Sequence, residues 1–212
     1  MSIGSNPNYG LGYIWYAYFL TAMTRYDEAI VMLQKGMELD PLSVAVHTDL
    51  GFSLYYSGQY DRALQQLNAA MDKNAAFAPA HLWAGRVYQE KKMYKEAVNK
   101  YKKTITMSNR WPVAYAALGN VYGIMGEKSN AVQVLDTLNI LKKNKFITSY
   151  GVALVYAGTG DEENAFKWLN LAYYERSNWL VWLRTDPRWG SIRNKRRFEE
   201  LVEKIGLPRI RQ

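Results

Sequence analysis

The chain has 212 residues, 49% hydrophobic, 14% aromatic and 22% charged, with a net charge of +8 and no cysteine. This composition describes a folded globular chain and excludes disorder and collagen-like structure. The missing cysteine excludes disulfides, thiolate metal sites and cysteine nucleophiles. No stretch approaches the roughly 18 apolar residues of a membrane span. The opening Met1-Ser2-Ile3-Gly4-Ser5-Asn6-Pro7-Asn8 lacks the basic and apolar regions of an export signal, so a cytoplasmic chain is expected.

In chain order the sequence keeps a period of 34. Ala17, Gly51, Gly85, Gly119 and Ala153 form one column, and Leu20, Leu54, Tyr88, Tyr122 and Tyr156 a second. Ala29, Ala63, Ala97, Ala131 and Ala165 form a third, and Leu33, Leu67, Tyr101, Leu135 and Leu169 a fourth. Such a period marks a repeat array rather than one mixed domain. The columns predict two antiparallel helices per repeat: small residues stand where the helices approach closely, and large ones three or four positions away fill the remaining space. Gly58-Gln59-Tyr60-Asp61, Gly126-Glu127-Lys128-Ser129 and Gly158-Thr159-Gly160-Asp161 place glycine where the first helix stops and a polar residue where the second begins. Asp40-Pro41 and Trp111-Pro112 mark junctions between pairs.

Beyond the periodic region, Asp186-Pro187 reads as an N-cap with proline in the first turn. Phe198, Leu201, Val202 and Ile205 then recur at helical spacing up to Gly206 and Pro208. This predicts an amphipathic helix covering the last repeat, and Arg193, Lys195, Arg196, Arg197 and Lys204 suit the polar outer face of such a cap. Residues 175–212 hold ten Lys/Arg against five Asp/Glu, or +5, leaving +3 for the rest. The basic excess is therefore expected to be mostly capping surface.

The period and the order of small and large positions resemble the tetratricopeptide repeat family over about residues 10 to 175. Leu50-Gly51 with Leu54 and Ala63, and Leu118-Gly119 with Tyr122 and Ala131, follow its pattern most closely. The family's first-column tryptophan is replaced by Tyr13, His47, His81, Tyr115 and Ser149. The resemblance implies an all-α, right-handed superhelical solenoid of antiparallel helix pairs with a C-terminal capping helix. Its repeats would be 10–43, 44–77, 78–111, 112–145 and 146–179, preceded by a lead segment 1–9 and followed by a capping segment 180–212. The tail, from Tyr156-Ala157-Gly158-Thr159-Gly160-Asp161 through Trp179-Leu180-Val181-Trp182 to Ile205-Gly206-Leu207-Pro208, is similar to the endings of such arrays in multidomain bacterial signalling proteins with winged-helix, serine/threonine kinase or adenylate cyclase domains. Ser5-Asn6-Pro7-Asn8-Tyr9 looks like an inter-repeat loop. On that reading the flank of the first helix pair, Tyr13, Tyr16 and neighbours, is open to a preceding segment, a partner or a second copy in a homodimer.

Catalysis has little to work with. His47 and His81 share one column, about 10 Å or more apart by helix packing distances, and are expected to pack rather than bind metal. Glu162/Glu163 and Glu199/Glu200 point in different directions on their helices. Gly10-Leu11-Gly12 and Gly158-Thr159-Gly160 lack the context of a nucleotide-binding loop. No catalytic residue, cofactor or metal is expected. The lysines around Lys91 and Lys103 read as a solvated edge, and nucleic-acid binding through the basic C-terminus ranks last among the functions considered.

In the family the concave face is lined by the first helix of each pair. The resemblance carries this role to Leu11, Ile14, Tyr18 and Thr21; Ala45, Thr48, Phe52, Tyr55 and Tyr56; Leu82, Arg86, Gln89 and Glu90; Val113, Ala116, Asn120 and Ile124; Ile147, Tyr150 and Leu154. The family's carboxylate clamp is absent, because its lysine and asparagine positions are mostly apolar here. Large apolar patches mark interaction sites, so Tyr18, Phe52, Tyr55, Tyr56, Leu82, Arg86, Gln89, Asn120, Tyr150 and Leu154 are expected to meet a partly apolar protein or peptide. The alternative is that these side chains are taken up by contacts between adjacent first helices or covered by the protein's own tail. The expected function is a non-catalytic protein-interaction scaffold; the alternative is a regulatory or sensory domain of a larger bacterial signalling protein.

Overall fold

The computed structural model describes residues 10–207, and all regular structure among them is helical. The chain divides into two compact units after Val87, within one helix. In the first unit α1 (Gly10–Ala22), α2 (Tyr26–Leu39), α3 (Val44–Tyr56) and α4 (Tyr60–Lys73) each pack on the next, with α1 also against α3, and α5 (Ala78–Glu90) begins. The second unit takes the end of α5 and then α6 (Tyr94–Met107), α7 (Pro112–Ile124), α8 (Lys128–Leu141), α9 (Ser149–Thr159) and α10 (Glu162–Tyr174). There α6 to α10 pack in sequence and α7 lies along α9. Contact between chain neighbours and between alternate helices is the arrangement of a solenoid of helix pairs. The lead residues 1–9 and Pro208 lie outside the described residues.

The turns inside the pairs share one geometry. Thr24, Gly58, Lys92, Gly126 and Gly160, spaced 34 apart, have φ of 61°, 75°, 60°, 78° and 77°. The N–H of the following residue then donates back to the helix: Arg25 to Leu20, Gln59 to Leu54, Met93 to Tyr88, Glu127 to Tyr122 and Asp161 to Tyr156. These are helix-terminating bonds that satisfy carbonyls left over in the last turn. Glycine adopts this left-handed conformation without cost, whereas Thr24 and Lys92 hold it against their side chains. Helix starts are capped by Ser43, Thr148 and Asp161, whose side chains accept from the N–H groups of Val46, Gly151 and Asn164.

The small columns correspond to close approach. A Cβ on Gly51 would stand 2.6 Å from Cγ of Leu67, and one on Gly119 would stand 2.9 Å from Val134 and Val155. Between α7 and α9 the approach is tighter still. A Cβ on Gly123 would fall 2.4 Å from the backbone carbon of Gly158, and one on Gly158 would fall 2.4 Å from the Asn120 carbonyl oxygen.

After α10 the chain forms two short 3₁₀ turns, Asn178–Trp182 and Pro187–Trp189, and then α11 (Arg196–Ile205). Asp186 caps the second turn by accepting from the Arg188 N–H. The long helix starts only at Arg196, with no side-chain cap at Lys195. Leu180, Leu183, Trp189, Ile192, Phe198 and Val202 join Leu154, Phe166 and Leu169 in one buried cluster. Pro187 falls 34 residues after Ala153, where another repeat would have its small helical residue. On the outer side Lys195 pairs with Glu162 and Arg197 with Glu163.

Candidate functional site

The structure places nine of the ten side chains singled out for a partner inside the protein, while Tyr18 is half-buried. In the first unit they form an aromatic cluster around Trp83. Its ring lies 4.7 Å from Phe52, 5.6 Å from Tyr55 and 5.9 Å from Tyr56, with the Arg86 guanidinium 4.1 Å above it. Tyr18 meets Phe52 at 4.7 Å and donates from its hydroxyl to Asp49 at 2.7 Å. Burial raises the Asp49 carboxyl to about 6, against the lowering effect of that hydrogen bond. Burial and the neighbouring Asp49 raise the Tyr18 hydroxyl as well. Leu82 is buried in the same unit.

In the second unit the polar members form a ladder. The Tyr101 hydroxyl donates to Gln89 at 3.0 Å, the Gln89 amide donates to Asn120 at 2.8 Å, and the Asn120 amide donates to the Leu154 carbonyl at 2.7 Å. Asn120 therefore ties α7 to α9 at the point where their backbones touch. Tyr150 is covered by the tail: its hydroxyl donates to Asp186 at 3.0 Å and accepts from the Trp189 indole at 2.8 Å. Asp186 also forms a buried ion pair with Arg188, and its backbone carbonyl accepts from Arg193.

The tail leaves two clefts in this unit. The smaller, about 200 Å³, lies at the C-terminal ends of α7 and α9 and is bordered by Gln89, Glu90, Ile124, Gly158, Arg188 and Ser191. Burial, reinforced by the negative charge of Asp186, raises the Glu90 carboxyl to about 7, while Arg188 and Arg193 pull it down. The larger cleft, about 350 Å³, lies at the opposite ends of the same helices. It is lined by Val113, Ala116 and Ile147 with Pro112, Leu138, Val152, Trp111, Phe146 and Trp179. Phe146 is 80% exposed and has no large covering contact of its own. Sequence reasoning assigned Val113, Ala116 and Ile147 to a binding face but missed the three rings. Trp111 closes the loop before α7, Phe146 lies in the loop before α9 and Trp179 lies in the first 3₁₀ turn, so none belongs to the helical columns. A usable signal was present in the spacing: Trp179 falls 68 residues, two periods, after Trp111, and Phe146 one residue past the position between them.

Helix pairs in series, small residues at each close approach and one recurring turn are the structural counterpart of the 34-residue period. The tetratricopeptide repeat family matches residues 20–82. Those residues are similar to the tetratricopeptide repeat. The chain's solved structural neighbours show the same fold. MamA is 24% identical with a TM-score of 0.55, over 68% of this chain and 85% of that one. The hetero-tetramer Cut9-Hcn1 of APC/C matches with a TM-score of 0.67 and 14% identity, over 95% of this chain and 44% of that one. The first tetratricopeptide domain of Spaghetti (RPAP3), bound to the HSP90 peptide SRMEEVD, gives 0.50 and 20%, over 55% and 93%. No curated protein sequence matches the chain.

The histidines have structural contacts. A His47 ring nitrogen bonds the Pro41 carbonyl and a His81 ring nitrogen the Ala75 carbonyl, the same contact one repeat on. Among the described residues no group of three or more histidine, aspartate or glutamate side chains is placed to hold a metal, and no helix is long and apolar enough to cross a membrane.

Proposed function

We propose that the protein is a non-catalytic scaffold that holds a segment of a partner protein in the cleft framed by Trp111, Phe146 and Trp179. The observation that carries this reading is three aromatic rings around an open apolar cleft, one of them, Phe146, 80% exposed. Large apolar side chains left in water mark interaction sites, and a cleft of this size accepts one or two bulky side chains of a bound segment. The peptide bound by the tetratricopeptide domain of Spaghetti supports a peptide ligand for the same fold. The buried ladder through Gln89, Asn120 and Leu154 serves the cleft by fixing α7 against α9. Phe146→Ala removes an exposed ring without opening the core. It should weaken binding of a peptide selected from a random library by about thirtyfold, the scale of an interface hot spot, with the melting temperature unchanged. Unchanged affinity would remove the cleft as the site.

A second copy of the chain is a further partner in this reading, favoured by one observation in the first unit. Leu11, Trp15 and Phe19 form an exposed stripe along α1, continued by Met23 just past its end, with Trp15 69% exposed. Ser53, Val87, Val121 and Val155, spaced 34 apart from Phe19, are buried. The helix carries no charge, so two copies can meet along it without repulsion. With roughly 150–250 Å² per aromatic side chain, the stripe offers on the order of 500 Å² per copy, near the lower limit for a specific dimer. Sedimentation of the wild type as a dimer and of Trp15→Glu as a monomer is the expected result. A monomeric wild type at high concentration refutes it.

A further inference from the structure

The three loops that frame the larger cleft are basic. Loops 108–111, 142–148 and 175–177 carry Arg110, Lys142, Lys143, Lys145 and Arg176 against the single acid Glu175, five positive charges to one negative, or +4. Lys195, Arg196, Arg197 and Arg25 are each paired with a glutamate. Arg110, Lys142, Lys143 and Arg176 make no ion pair among the described residues, and all four are exposed. The ammonium of Lys145 is held 2.5 Å from the Asn109 carbonyl oxygen, which joins the first loop to the second beside the cleft. Arg110 leans on the Tyr115 hydroxyl at 3.4 Å. An apolar cleft thus sits inside a border of positive charge that the protein does not neutralise.

We infer that the partner segment taken by this cleft is acidic, with apolar anchors entering between Trp111, Phe146 and Trp179 and flanking aspartates or glutamates facing the loop cations. The inference rests on the cleft being the partner site. Complementary charge around an apolar anchor raises the association rate and selects among partners. The lining also separates a peptide from a nucleic acid. Pro112, Val113, Ala116, Leu138, Ile147 and Val152 suit an aliphatic or aromatic side chain, whereas a nucleobase inserted among them would find only Thr148 and Asn178 as polar side chains for its ring atoms. The cations lie on loops after α6, α8 and α10 and ask for charge along the segment, not for a free carboxylate at a chain end.

The test uses the full chain and pooled 15-residue peptides, acetylated and amidated, with randomised apolar anchors between four fixed glutamates. Matched pools carry glutamine at those four positions. Affinities are read by calorimetry, with tryptophan fluorescence as a second signal. The glutamate pool should bind about tenfold more tightly than the glutamine pool at low salt, and the gap should close as ionic strength shortens the reach of the charges. Lys142→Ser with Lys143→Ser should weaken only the glutamate pool, by about three- to tenfold. Equal binding of both pools, abolished by Phe146→Ala, overturns the acidic preference and leaves the cleft standing. Binding of neither pool, with Phe146→Ala silent, overturns the cleft itself. A uridine oligonucleotide that displaces the glutamate peptides also overturns the inference, in favour of nucleic acid.

Discussion

Replacing Asn120 by leucine keeps the number and branching of side-chain heavy atoms while removing the polar contacts that tie α7 to α9 and to Gln89. Asn120 is fully buried, so water cannot substitute for what is lost. The two bonds differ in what they leave behind. The Leu154 carbonyl lies inside α9 and retains its helical partner, so its loss is the net value of one hydrogen bond, about 0.5–1.5 kcal/mol. The Gln89 amide loses its acceptor while buried, which costs about 1–3 kcal/mol. Together these give roughly 2–4 kcal/mol, enough to lower the hydrogen-exchange protection of α7 and α9. Denaturant-dependent exchange on those two helices is the assay, because the chain has two compact units and a single transition need not report on the second. Adding Gln89→Leu removes the orphaned donor, so the double variant should lose less than the sum of the single changes. A loss below about 1 kcal/mol for Asn120→Leu, or strict additivity in the double variant, refutes the account.

Three other outcomes follow from the fold. Gly123→Ala meets the Gly158 backbone, which cannot rotate away, so it should cost about 3 kcal/mol; Gly51→Ala meets only the movable end of Leu67 and should cost less than half of that by urea denaturation. Thr24→Gly relieves a left-handed threonine and should stabilise the first unit by about 0.5–1 kcal/mol, seen as a higher melting temperature. Asp49 has a folded pKa of about 6 against the ordinary 3.8, so the folded state holds its proton more tightly and loses stability as pH rises from about 4 to about 6. Asp49→Asn still accepts from Tyr18 and removes that loss. It should stabilise the protein at pH 7 by roughly 1 kcal/mol after allowance for partial exposure, with no gain at pH 3.5, as followed by thermal melts across that range.

The columns through Gly51 and Ala63 disclosed the helix pairs because close approach demands a small residue every 34 positions. Glycine likewise announced three of the turns. At Thr24 and Lys92 the same turn is imposed by the packing of the pair and has no sequence signature. The candidate site was less legible for a related reason. Family positions identify a side chain's helix face, but not what a neighbouring helix places over that face. Trp83 fills the space beside Phe52, Tyr55 and Tyr56, and the Asp186 and Trp189 side chains cover Tyr150. Trp111 and Trp179 keep the period, two repeats apart, but lie at the junctions after helix pairs and not in the columns within them, and Phe146 is one residue out of register.

A stack of like units carries no instruction about how many there should be, since every added pair offers the next the same surface. Pro187 supplies a stop. It stands where the small helical residue of another pair would lie, and its ring excludes the backbone hydrogen bond that helix would require. Asp186 then commits its carboxylate to Arg188 and Tyr150 and its carbonyl to Arg193, which holds the non-helical path against α9. The length of the array is thereby written into two adjacent residues, and changing Pro187 to alanine would remove the punctuation without touching any of the repeats it closes.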